Sequence, residues 1–223
     1  MAAETQYLVE LRNVVVRSDR GDSVFKDVTL LLEPGASVVI SGGSGSGKSS
    51  LLDIILGRKQ PEAGSVEVFG KMVARAGSHR LRDMRRRIGG VGGPFALIPT
   101  MTIAENILLP LIIAGERVTA QKERLVKTLS ELGLISHSNE YPSQLTRVQT
   151  TLAQIARSTI ANQPLVLIDE PSAGLDQATS AQVFEYLFKV AASGRSLIIV
   201  SSEQPVAELP NSRRLRLEGG VLV

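Results

Sequence analysis

The chain has 223 residues, enough for one domain or for one domain carrying a sizeable insertion, and long enough to bury most of its apolar surface. With 43% hydrophobic and 21% charged residues it sits near the globular average, which excludes collagen-like, coiled-coil and predominantly disordered chains. Lys and Arg number 25 against 22 Asp and Glu, a surplus of +3 too small to point to nucleic acid or anionic lipid, and the lack of cysteine excludes disulfides, thiolate metal sites and cysteine nucleophiles.

The amino terminus, MAAETQYLVELRN, has no basic segment followed by an apolar run, so no secretion signal is expected. Residues 7–33 carry short runs of Val, Leu and Phe at roughly alternating positions, broken at Asp19-Arg20-Gly21-Asp22, which predicts antiparallel strands around a turn. Pro34-Gly35 turns into an apolar strand over 36–40, followed at once by a Gly/Ser-rich loop and a helix over 48–56 that Gly57 stops. Another short strand is expected over 65–69.

The middle of the chain differs in character. Residues 80–87 form a basic helical stretch, and 88–99 are punctuated by Gly and Pro, with a strand at Ile88-Gly89-Gly90-Val91. Thr102-Ile103-Ala104-Glu105 has the spacing of a capping box that opens a helix. The most apolar segment, 107–114, is far short of the ~20 residues of a spanning helix and is interrupted by Pro110. A second helix is expected from about Thr119 to Leu132, and a third following Tyr141-Pro142. Then follow a buried strand over 165–168, a helix near 178–192 and a strand over 196–200, the alternation of an α/β core, with short strands around Gly219-Gly220 at the end. The division expected is one domain over 1–223, its β-rich core built from 1–93 and 163–223 and a helical subdomain inserted at about 94–162.

Gly42-Gly43-Ser44-Gly45-Ser46-Gly47-Lys48-Ser49 fits G-x-x-x-x-G-K-[ST] between a predicted strand and a predicted helix, which is the context a phosphate-binding P-loop requires. Residues without Cβ atoms let consecutive N–H groups converge on phosphate oxygens at the positive end of a helix. Lys48 is expected on the β and γ phosphates, the Ser49 hydroxyl on Mg²⁺, and Ser50 on the α phosphate. Leu165-Val166-Leu167-Ile168-Asp169-Glu170 places two carboxylates at the carboxyl end of a buried strand, the Walker B pattern. Asp169 would orient Mg²⁺ through water, and Glu170 would polarise the water that attacks the γ phosphate. The fold class is therefore α/β: a P-loop NTPase core of mainly parallel sheet with flanking helices, plus an antiparallel β subdomain and the inserted helical subdomain.

Together these residues resemble the nucleotide-binding subunit of ATP-binding-cassette (ABC) transporters over nearly the whole chain. Pro171-Ser172-Ala173-Gly174-Leu175-Asp176 looks like that family's D-loop, with Asp176 at the dimer interface, and Ile88-Gly89 and 102–115 look most like the branch containing the cell-division FtsE and lipoprotein-exporting LolD proteins. The resemblance implies ATP and Mg²⁺ as ligands, ATP hydrolysis, and a dimer of cassettes, homotypic or heterotypic, in which each P-loop is covered by the other subunit's L-S-G-G-Q loop. It also implies a permease-like integral-membrane partner, a peripheral position on the cytoplasmic face of a membrane, and no nucleic acid.

Several positions depart from the family. Leu145-Thr146-Arg147-Val148-Gln149 keeps the first and last letters of the signature and replaces both glycines, which puts a branched side chain at 148 and a charge at 147. The family's Mg²⁺-touching glutamine falls on Gly93, with no nearby glutamine to substitute. Its γ-phosphate histidine falls within Ser201-Ser202-Glu203, and its adenine-stacking aromatic near Ser18, since Tyr7 lies too early. Losing one group that stabilises transition-state charge lowers a rate by ~10²–10³, so slow turnover is expected, the alternative being an ATP clamp with vestigial hydrolysis or the degenerate half of a heterodimer. His79 and His137 are expected as solvated loop residues without a role, and the run Arg80, Arg82, Arg85, Arg86, Arg87 as a solvated helix face.

Overall fold

The computed structural model describes residues 7–17, 21, 23–74, 76–202 and 209–223. Ser18, the turn residues Asp19, Arg20 and Asp22, and Glu203 lie outside the described residues. Strands β1 (Val9–Arg17) and β2 (Ser23–Leu32) pair antiparallel, and β4 (Ala63–Val68) and β5 (Lys71–Met72) extend the sheet beyond β1. The parallel part comprises β3 (Ser37–Ser41), β6 (Ile88–Val91), β7 (Leu165–Asp169), β8 (Ser196–Ser201) and β9 (Ser212–Glu218). β10 (Val221–Leu222) joins the two parts, parallel to β2 and antiparallel to β9. The full order is β5-β4-β1-β2-β10-β9-β3-β8-β7-β6.

Strands β3, β7 and β8 read as nearly unbroken apolar runs because both of their faces are covered. Val38, Ile40, Leu165, Leu167, Ile198 and Val200 face a core shared with the antiparallel strands and α1 (Lys48–Ile55), whereas Val39, Val166, Ile168, Leu197 and Ile199 face the opposite core. That second core is built with α3 (Ile103–Ile113), α4 (Val118–Glu131), α5 (Arg147–Thr159) and α6 (Gln177–Ala192). Helices α3 to α5 fall in the stretch expected to form the inserted subdomain, and α3 packs on both α4 and α5.

The structure refines the expected elements in three places. Residues 142–144 after Tyr141-Pro142 make only a 3-10 turn, and the third helix starts at Arg147, where Thr146 and Gln149 form a reciprocal capping box. Pro110 does not end α3, which continues to Ile113 with the Ala114 amide bonded to the Pro110 carbonyl. The basic stretch is helix α2 (Ser78–Arg86), but several of its arginines are engaged rather than simply solvated. Arg85 donates to the Leu56 and Gly57 carbonyls at the end of α1, Arg86 pairs with Asp83, and the Arg87 guanidinium lies 3.9 Å from the centre of the Phe69 ring.

One buried polar side chain ties the start of the helical region to α3. Asn106, with no exposed surface, accepts from the Ile98 amide at 2.7 Å and donates to the carbonyls of Ile98, Met101 and Thr102 at 3.0–3.1 Å. Replacement by a near-isosteric apolar side chain takes away the acceptor of the Ile98 amide and the donor to the Met101 carbonyl, while the Ile98 and Thr102 carbonyls keep their backbone donors, Met101 and residue 106. Asn106→Leu is expected to lower unfolding stability by about 2–4 kcal/mol, read as a reduced urea midpoint at unchanged slope.

Candidate functional site

Strand register brings the distant motifs together. Ser41 of β3 lies opposite Ser201 of β8, Val200 of β8 opposite Asp169 of β7, and Ile168 of β7 opposite Val91 of β6. The carboxyl ends of four parallel strands therefore stand level, and the loops that leave them converge, the usual place for a ligand on an open α/β sheet.

The loop after β3 runs into α1 through Gly47, whose φ of 103° is open to glycine alone and whose missing Cβ would stand 2.8 Å from both Phe25 and Val24. Helix α1 has no side-chain cap at this end, so its first-turn amides point into the loop as donors for an anion. Lys48 is 7% exposed and its Nζ folds back over the loop, donating to the Gly42 carbonyl at 2.7 Å and the Gly43 carbonyl at 3.0 Å. The same Nζ lies 3.6 Å from Glu170 Oε1.

Ser49 Oγ donates to Asp169 Oδ2 at 3.3 Å, closing the distance between residues 120 apart in sequence. Asp169 is only 6% exposed and no described cationic side chain stands within ion-pair distance of it. Burial pushes its carboxyl above the usual range, with the Ser49 hydrogen bond opposing and the Glu170 charge adding to the rise. A raised carboxyl contributes stability that is present below the ordinary carboxylate range and lost as pH rises through the folded value, so at neutral pH this charge is a liability. A hard divalent cation fits that donor set, two oxygen groups with a buried carboxylate that Lys48 offsets only from a distance.

Glu170 sits one residue further on with φ 51°, and β8 grips it from the side. Ser202 donates to it twice, from its amide to Oε2 at 2.9 Å and from its hydroxyl to Oε1 at 2.5 Å, and the Ser201 hydroxyl adds a bond of 3.4 Å. The sequence reading noted Ser201 and Ser202 only for the histidine they lack. Hydroxyls at the end of a strand beside Walker B were the available signal.

The turn after β6 is packed against Asp169. A Cβ on Gly92 would stand 1.9 Å from the Asp169 carbonyl oxygen, and one on Gly93 would stand 2.3 Å from Asp169 Oδ2. Gly93 is thus the residue against the acidic group, but its closeness leaves no room for a side chain. A glutamine distant in sequence does support this turn: Gln154 of α5, 7% exposed, accepts from the Gly92 amide at 2.8 Å. Its signal in the sequence was a long polar side chain within the apolar stripe Leu152, Ala153, Ile155, Ala156. Arg157, one turn further along, donates to the carbonyls of Ala96 at 3.0 Å and of Phe95. Burial pushes this guanidinium down from its ordinary value.

The segment Leu145–Gln149 is the entry to α5. Thr146 accepts from the Gln149 amide while Gln149 Oε1 accepts from the Thr146 amide at 2.8 Å, and Leu145 and Val148 pack against the helical core. Arg147 is exposed and lies over the loop after β7, where a Cβ on Gly174 would stand 2.5 Å from its Nη1. Asp176 ends that loop as the N-cap of α6, accepting from the Ala178 and Thr179 amides and the Thr179 hydroxyl, which holds its carboxyl below the usual range. The histidines are not free loop residues. His79 stands on α2 with Nδ1 3.0 Å from Asp83, and His137 is half-buried in a 3-10 turn between Glu140 at 2.9 Å and Gln149 Nε2 at 3.0 Å.

The sequence profile described as ABC transporter matches residues 25–173, more than half of the chain. The chain belongs to the ABC transporter family. It is 27% identical over 216 residues to the cell division ATP-binding protein FtsE of Bacillus subtilis strain 168, with 97% of this chain and 95% of that protein covered. It is 33% identical over 220 residues to the methionine import ATP-binding protein MetN 2 of Bacillus licheniformis, covering 97% of this chain and 64% of that protein. Against the macrolide export ATP-binding/permease protein MacB of Rhodopseudomonas palustris strain HaA2, identity is 32% and coverage is 100% of this chain but 34% of the relative. The chain thus spans nearly all of FtsE, under two thirds of MetN 2 and a third of MacB.

Among solved structures, the dimeric post-hydrolysis state of the ABC cassette MJ0796 bound to ADP and Pi superposes with a TM-score of 0.85 at 30% identity, covering 96% of each chain. CbiO1 of Clostridium perfringens, part of the ABC transporter complex cbiONQ, shares the fold with a TM-score of 0.84 at 18% identity, over 97% of this chain and 87% of that one. The ABC fold therefore holds across the chain, including the stretches where the family motifs are altered.

The tight packing at Gly93 makes one outcome specific to this ABC protein. Introducing the family's glutamine, Gly93→Gln, should push the Asp169 carboxylate off Ser49 and weaken MgATP binding by about tenfold or more while leaving ATP binding in EDTA nearly unchanged. Titration calorimetry of both proteins under the two conditions checks this, and a tighter MgATP complex in the variant would show that the turn yields.

Proposed function

We propose that this chain is the ATP-binding subunit of an ABC-type transporter or related membrane complex, binding MgATP in its P-loop and hydrolysing it slowly to drive a permease-like membrane partner. The observation that carries this is the meeting of Lys48, Ser49, Asp169 and Glu170 at the level carboxyl ends of β3 and β7. Gly42, Gly43, Ser44, Gly45, Ser46 and Gly47 supply the loop that wraps the phosphates, Lys48 compensates β and γ charge, and Ser50 adds a donor at the start of α1. Ser49 and Asp169 would hold Mg²⁺, which supplies neutralisation of phosphate charge when bound. Glu170, kept in orientation by Ser202, polarises the attacking water and takes its proton.

Two cassettes pair in this proposal, through Asp176 and the degenerate segment Leu145, Thr146, Arg147, Val148, Gln149, either as a homodimer or with a second kind of cassette. The dimeric state of the MJ0796 cassette supports pairing. No described helix is long and apolar enough to cross a membrane, so the proposed seat is peripheral, on the cytoplasmic face and against the partner. A second reading, an ATP-dependent clamp with vestigial hydrolysis, is favoured by the side chains of Arg147 and Val148 at the signature's two glycine positions and by Gly93.

Lys48→Ala should abolish the binding heat of MgATP in titration calorimetry, and wild-type protein giving no such heat would overturn the proposal. Steady-state phosphate release separates the two readings. Glu170→Gln is expected to lower the rate by about 10²–10³ if hydrolysis is real, and rates at background in both proteins leave only the clamp.

A further inference from the structure

The side chain that holds the Gly92–Gly93 turn against Asp169 comes from α5, and it belongs to none of the motifs so far assigned a role. Gly92 and Gly93 touch the backbone and the carboxylate of Asp169 more closely than any residue with a side chain could. Contact this tight needs something to keep the turn in place. The turn lies in an irregular segment between β6 and α3, where backbone amides have no ladder partner, and the Gly92 amide is satisfied by one acceptor, Gln154 Oε1 at 2.8 Å. That a backbone N–H is the donor settles which end of the carboxamide faces it. Arg157, on the same helix, fixes the far end of the turn at Phe95 and Ala96, and the Phe95 ring covers Gly90, where a Cβ would stand 2.0 Å from it.

We infer that Gln154 is a positioning residue for the acidic centre: its bond to the Gly92 amide fixes the glycine wall that holds the Asp169 carboxylate against Ser49, and so sets the protein's response to a divalent cation. This rests on the proposed MgATP site. The wall is on the cation side of the site, since Gly93 abuts the oxygen, Oδ2, that Ser49 contacts. Gln154 does not reach the P-loop amides or Lys48 by any hydrogen bond among the described residues. Its loss should therefore change how metal and nucleotide bind together, and leave the metal-free nucleotide contact alone.

The test compares wild type, Gln154→Met, which keeps the length without an acceptor, and Gln154→Glu, which keeps an acceptor oxygen for the Gly92 amide. ATP affinity is measured by calorimetry with Mg²⁺ and with EDTA, and the readout is a ratio, the dissociation constant in EDTA divided by that in Mg²⁺. In Gln154→Met the ratio should fall by about 3- to 10-fold, the usual worth of one hydrogen bond, with the EDTA value within about twofold of wild type. In Gln154→Glu the ratio should return to within about twofold of wild type. An unchanged ratio in Gln154→Met, or equal weakening with Mg²⁺ and with EDTA, overturns the inference by reducing Gln154 to general support.

Hydrogen exchange of the Gly92 amide in the unaltered protein reads the same bond where Gln154→Met does not fold. Strong protection is expected, and exchange at the rate of an open loop overturns the inference. A wild-type protein that binds ATP with no benefit from Mg²⁺ instead brings down the proposed metal site itself.

Discussion

The level register of β3, β8 and β7 is the constraint on which everything near the site depends. The P-loop and the acidic pair belong to strands that do not touch, since β8 runs between them, and each is placed only through its pairing with that central strand. A slip of one residue in either ladder would turn Asp169 or the P-loop entrance to the other face of the sheet. The two cores prevent it, because alternate residues of β3, β7 and β8 are committed to opposite sides. Stability of the fold and alignment of the site are in this sense the same property. The central strand also supplies Ser201 and Ser202, so the element that sets the spacing orients Glu170 as well.

What could be foreseen from the sequence and what could not divide along physical lines. The P-loop and Walker B residues are contiguous, and their chemistry needs particular residue types at fixed spacing, so a reader sees them without a structure. The capping box at Thr102 is equally local and is present as expected. Long-range pairing is another matter: Gln154 meets Gly92 across 62 positions, and nothing in either neighbourhood announces the other. The arginines of α2 mislead for a related reason. A basic run reads as a solvated face, yet Arg85 reaches the end of α1 and Arg87 stacks on Phe69, contacts set by tertiary packing. Pro110 interrupts the apolar run of 107–114 but not the helix, which continues past it to Ile113.

The altered signature is also better understood with α5 in view. Replacing glycine by Arg147 and Val148 removes a flexible approach to a partner and lets Val148 join the core, while the helix start rests on Thr146 and Gln149, which cap each other at the signature's Ser and Gln positions. His137 steadies the same glutamine from the side. The segment has gained internal order where the family keeps adaptable backbone. The same helix bears Gln154 and Arg157 further along, so one rigid rod carries both the degenerate segment and the support for the turn beside Asp169.

The state of Lys48 carries a last consequence. Its ammonium already has two carbonyl acceptors and a nearby carboxylate, all within a nearly closed pocket. An arriving phosphate therefore does not meet a bare charge: it competes with two neutral loop carbonyls, and since a charged phosphate oxygen is the stronger acceptor, the ammonium's attraction for it is offset in part by the bonds given up to the loop.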